Sequence, residues 1–147
     1  MHILKKLIVV FLVMALLAAG AFAWYYFYGP CGTLKAKAAI NQTQAIVNRW
    51  LDAEQIAGST SRIALAGPLS ELQSIKQDMT SLKVPPCLER AQAFIVDSME
   101  RTIGAYLLFM QNEPDNKIKE AFSEATHSLG NYTAELNAIT ECIPFCK

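Results

Sequence analysis

Polar and apolar positions divide this chain into one continuous greasy run and four periodic ones. Leu7 to Tyr28 (LIVVFLVMALLAAGAFAWYYFY) contains no charge and is long enough to cross about 30 Å of hydrocarbon as a helix. Beyond it, Ala36, Ile40, Thr43, Val47, Trp50 and Ala57 recur at 4-3 spacing, with Glu54 in one seam position. Leu65, Leu69, Leu72, Ile75, Met79 and Leu82 repeat similarly, as do Leu88, Ala91, Ile95, Met99, Ile103, Tyr106 and Met110. The last run, Ile118, Phe122, Ala125, Leu129, Tyr132, Leu136, Ile139 and Ile143, is unbroken. Such spacing predicts amphipathic helices. No strand-like alternation competes with it.

Punctuation places the ends. Gly58-Ser59-Thr60-Ser61 breaks the first periodic run, and Pro68 is expected as the first residue of the second helix. Val84-Pro85-Pro86 ends that helix, because a residue before proline is pushed out of the helical region. Asn112-Glu113-Pro114 precedes the fourth run, with Asp115 a candidate N-cap. Connections this short force sequential helices to lie antiparallel. The expected fold is all-α: an up-down-up-down four-helix bundle over 33–147, stapled by disulfides, behind a linker at 29–32 and an N-terminal segment at 1–28.

The N-terminal segment has two readings. A signal peptide would be cut after Ala21-Phe22-Ala23. A signal anchor would keep all of Leu7 to Tyr28, with Trp24-Tyr25-Tyr26-Phe27-Tyr28 as an aromatic belt at the headgroup layer. Cleavage would leave that belt as an exposed greasy terminus, which favours the anchor. In either reading Lys5 and Lys6 stay in the cytoplasm and the remainder is exported, to a periplasm or a cell surface. The expected location is membrane-anchored through residues 7–28, the alternative being secretion after Ala23.

Charge narrows the partners. The chain has 13 basic and 13 acidic residues, and no basic cluster. Nucleic acid is therefore not an expected partner, since its phosphates need grouped Lys and Arg. Four cysteines, Cys31, Cys87, Cys142 and Cys146, follow the greasy run. In an exported chain they are expected as two disulfides. All four should meet at the membrane-proximal end, with Cys142 and Cys146 each taking one of Cys31 and Cys87. A tetrathiolate zinc site is the rival there, and an oxidising compartment favours the disulfides.

Candidate chemistry is sparse. Glu124-x-x-His127 has the spacing of di-metal bundle ligands, but those sites need a second such pair, and the other histidine is His2. The pair falls on a polar stripe with Glu120 and Asn131, away from the apolar seam. Haem would need His127 turned inward, so neither a metal nor a haem is expected. Asp97 and Glu100 share the polar side of the third helix with Arg90 and Arg101, an ordinary charged face. No positioned base accompanies the abundant Ser and Thr, so an enzyme is not expected. Glu54 is the exception on an apolar stripe, near the far end of the first helix; Arg62 is a candidate counter-ion, but a frayed bundle end with both side chains in water is the expectation. Trp50, Phe94, Tyr106, Phe109, Phe122 and Tyr132, with Gly104 and Gly130 nearby, leave room for a small apolar ligand between helices or for close packing.

The stretch from Arg62 to Met110 carries GPLSELQSI, the VPPCLE turn and the GAYLLFM helix end. It resembles a group of bacterial membrane-anchored or exported helical proteins. The resemblance covers about a third of the chain and implies the compartment and the bundle. It brings no cofactor and no functional residue with it. The expected function is a non-catalytic, membrane-tethered interaction module or accessory subunit with a protein partner. A carrier or sensor of a small hydrophobic ligand is the alternative.

Overall fold

The computed structural model describes residues 2–29 and 31–142, with side chains from Val10 to Glu141. Among the described residues the chain is helical and has no strand. Its elements are α1 (His2–Tyr28), α2 (Thr33–Ser59), α3 (Ala66–Ser81), α4 (Glu89–Met110) and α5 (Asp115–Cys142). Single 3-10 turns at Arg62–Ala64 and Pro86–Leu88 lead into α3 and α4. By length and composition α1 is apolar enough to span a membrane, and it buries none of its apolar stretch against the rest of the chain. Trp24 stacks on Tyr28 at 4.9 Å within its last turns.

Helices α2 to α5 build one core. Leu65, Leu72, Ile75, Met79, Ile95 and Met99 are its largest fully buried side chains. Helix α2 packs on α3, α3 on α4, and α4 on α5. The α4–α5 pair is the closest, and small residues explain why. Beside the large stripe Ile95, Met99, Ile103 and Tyr106, α4 buries a second stripe of Ala91, Ser98, Thr102 and Ala105. Across it α5 buries Ala125 and Ser128. Ser98 Oγ donates to the Ala125 carbonyl at 2.9 Å and Ser128 Oγ donates to Asp97. Asp97 is therefore half-buried at this contact and not simply on a charged face. Arg101 bridges Asp97 and Glu124. Position numbers fall along α5 as they rise along α4, an antiparallel register.

Two of the expected boundaries shift. Helix α3 begins at Ala66, so Pro68 sits inside its first turn, where its missing N–H costs no intrahelical bond. Asp115 is the first helical residue of α5, while the Pro114 carbonyl accepts Lys117 N–H and Ile118 N–H. Its carboxylate acts on the helix dipole and not as a side-chain cap. The end of α4 is a Schellman turn. Glu113 N–H reaches the Leu108 carbonyl and Asn112 N–H the Phe109 carbonyl, with Asn112 at φ 60°.

The α2–α3 hairpin is tied to α4 and its flanking turns at both ends. At the base, Cys31 and Cys87 form a disulfide with Cα atoms 6.0 Å apart. This corrects the pairing expected from sequence, in which both would bond to α5. Alternating helix directions alone place Cys31 and Cys87 at the heads of diagonal helices. Cys87 instead lies in the 3-10 turn before α4, and the non-helical residues 82–85 carry it across to the start of α2. The Cys142 side chain and Cys146 lie outside the described residues. At the far end, Arg62 donates to Asn112 and covers the Phe109 ring at 4.7 Å. Between these ties, Gln92 Nε2 donates to the Met79 and Leu82 carbonyls, each at 2.7 Å, closing the end of α3.

Candidate functional site

Helices α2 and α5 flank a seam floored by α4, where side chains meet although the two backbones do not pack along their length. The buried stripe of α2 is small toward both ends (Ala36, Ala39, Ala53, Ala57) and bulkiest at Trp50, and Trp50 lines the seam together with residues of α4 and α5.

Three hollows follow the seam from the disulfide end outward. The first, about 10 Å³, lies among Thr43, Gln92, Tyr132 and Leu136. The second, about 70 Å³, is lined by Trp50, Glu54, Thr102, Phe122 and Leu129 among others. The third, about 230 Å³, lies between Gly58, Tyr106, Phe109 and Phe122. Phe122 separates the second and third and meets Tyr106 edge-on at 5.3 Å. Exposed Leu51 and Leu129 form the mouth of the second hollow.

Leu129 is a correction. The unbroken spacing of α5 predicts it in the core, yet it is 37% exposed and Ser128 is 6% exposed. The α4–α5 contact rotates α5 toward its small residue, because Ser128 satisfies its hydroxyl on Asp97. Gly104 and Gly130 do not mark close helix approach either, since a Cβ at each would meet nothing within 4 Å.

Glu54 is the charged group of the seam. Trp50 Nε1 donates to its Oε2 at 3.0 Å, and the Tyr106 hydroxyl reaches the Glu54 carbonyl at 3.4 Å. Burial pushes the Glu54 carboxyl above its ordinary range, partly offset by the Trp50 bond. Burial also raises Tyr106, helped by the Glu54 charge. The candidate Glu54–Arg62 pairing does not form, because Arg62 is held by Asn112 and Phe109; Glu54 is partly buried and bonded to Trp50, not a wet side chain at a frayed end. Asp97 shows the opposite electrostatics. The Ser128 hydroxyl, then Arg101, hold its carboxyl below the usual range.

Among the described residues, no group of three or more His, Cys, Asp or Glu could hold a metal. Glu124 and His127 are exposed on α5. His127 faces Asn131 at 3.4 Å and Glu124 pairs with Arg101. Comparison with protein-family models, curated proteins and solved structures finds no match to this chain.

Proposed function

We propose that this chain is a non-catalytic, membrane-tethered module whose exported bundle binds a partner protein or serves as an accessory subunit of a membrane complex. In this reading α1 is a signal anchor, residues 33–147 form an up-down-up-down bundle outside the cytoplasm, and the α2–α5 seam is the contact face. The observation that carries it is the incompletely closed seam, with Leu51 50% and Leu129 37% exposed at its rim. This apolar rim is the face that the reading offers to a partner.

The hollows of the seam support this reading over a carrier of a hydrophobic ligand. At about 10, 70 and 230 Å³ they fall below the roughly 300–1,000 Å³ of sites that engulf a drug-sized molecule. Gly29 and Gly32 support a tether held close to the bundle. A Cβ at Gly32 would lie 2.5 Å from the Phe27 carbonyl oxygen, and one at Gly29 2.5 Å from that of Tyr25. The turn between α1 and α2 therefore tolerates only glycine-sized residues at these two positions.

The test is photo-cross-linking in native membranes from position 51 or 129, with exposed Gln77 on α3 as the control. A single adduct of defined mass from the two seam positions, and none from position 77, is the expected result. A chain that stays uncross-linked and runs alone after mild detergent extraction would overturn the proposal.

A further inference from the structure

The middle hollow of the seam joins one carboxylate, Glu54, to a mostly apolar lining. Glu54 Oε2 receives one hydrogen bond, from Trp50, whereas a carboxylate offers about four acceptor positions. Three hydroxyls line the same hollow, those of Ser98, Thr102 and Thr126, and two of them are already committed. Ser98 donates to the Ala125 carbonyl and Thr126 to that of Phe122. No Lys or Arg lines the hollow, and among the described residues no ion pair includes Glu54. A partly buried anion without a counter-charge is unfavourable, and the raised carboxyl is consistent with that cost.

A single carboxylate in a mostly apolar hollow is chemistry that suits an organic ammonium ion. The carboxylate supplies Coulomb attraction and charge-assisted hydrogen bonds, and the apolar lining takes the alkyl carbons. We propose that this hollow binds an alkylammonium group, with the nitrogen at Glu54 and the alkyl chain leaving between Leu51 and Leu129. Size agrees. A cavity of about 70 Å³ is roughly five times what admits one water, room for a methylene-ammonium head but not for a whole amphiphile. The half-exposed Leu51 and partly exposed Leu129 give the chain an apolar exit.

Two sources present this chemistry: a free alkylamine, and the lysine side chain of a partner protein. The full chain in non-ionic detergent is titrated with n-butylammonium, with N-acetyl-lysine methylamide and with neutral n-butanol. The indole N–H resonance of Trp50 is the readout, because that N–H donates to Glu54. Butylammonium should shift it, and butanol should bind about tenfold more weakly, the loss of one charged hydrogen bond. A response to butylammonium alone assigns a free amine, and a response to the lysine amide as well assigns a partner's side chain. Glu54→Gln, which keeps an acceptor for Trp50, should abolish the discrimination. Thr126→Lys places a tethered ammonium in the hollow, so it should block butylammonium and raise the melting temperature. Equal binding of butanol and butylammonium, no binding of either cation, or undiminished binding by either variant would overturn the proposal. Cross-linking tests the module and this titration tests the hollow, so each can fail without the other.

Discussion

Removing the Cys31–Cys87 bond is the perturbation whose size can be worked most directly. The bridge closes a sequence separation of 56 residues and encloses α2 and α3. In the chain-entropy model a loop of that length removes about 14 cal/mol/K from the unfolded ensemble, or about 4.2 kcal/mol at 25 °C. That is a large fraction of the 5–15 kcal/mol that typically holds a domain together. The variant is Cys31→Ala/Cys87→Ala, which leaves Cys142 and Cys146 untouched. Urea unfolding of the full chain in detergent, followed by circular dichroism and Trp50 fluorescence, should give an unchanged slope and a lower midpoint. With a slope of about 1.5 kcal/mol per molar, the midpoint should fall by about 3 M. Non-reducing peptide mapping of the wild type should link the Cys31 peptide to the Cys87 peptide. A midpoint shift worth less than about 1 kcal/mol, or either cysteine linked to Cys142 or Cys146, would refute the reasoning.

Four further outcomes follow from the packing and charges. Met99 is fully buried, so Met99→Ala should cost about 2–5 kcal/mol in chemical denaturation. Leu129→Asp should cost under about 1 kcal/mol because its side chain already meets water, whereas Ile95→Asp should cost more than about 4 kcal/mol. Gly104→Ala and Gly130→Ala should each stabilise by up to about 1 kcal/mol, helix propensity gained where a Cβ meets nothing. The pH dependence should carry two opposite slopes. Burial raises Glu54 above its ordinary 4.5, so the native state holds a proton that the unfolded state releases, and stability falls as pH rises through that window. Glu54→Gln removes this slope and should stabilise the protein at neutral pH. Asp97 is lowered from its ordinary 3.8; its contribution is complete above that value and is lost as pH falls toward the depressed one. Asp97→Asn should flatten that acid limb in pH-dependent melting curves.

The helices and most of the core were legible in the sequence, because burying one face of a helix leaves a 4-3 rhythm that needs no partner to be read. Leu69, Leu72, Ile75 and Met79 of α3, and Ile95, Met99, Ile103 and Tyr106 of α4, are buried where their spacing places them. The small residues Ser98, Thr102 and Ala105 beside the α4 run carry almost no hydrophobic signal, yet they face the inward side of α5 and leave Leu129 at the rim. The seven-residue recurrence at Ala91, Ser98 and Ala105 was the trace that could have revealed them.

Glu54 stood out in the sequence as a charge on an apolar stripe, but its bond to Trp50 and its lack of a cation depend on where Arg62 goes. That choice is made fifty residues away by Asn112, whose left-handed turn presents an acceptor to Arg62. The cysteine pairing was likewise beyond spacing rules. Four cysteines after an apolar segment predict disulfides, and short loops bring chain ends together. Which sulfurs meet depends on the path of a four-residue connection from α3 to the turn before α4. Local patterns determine the elements because they reflect one helix and water; pairings, rims and hollows are decided by geometry between helices, which no single segment encodes.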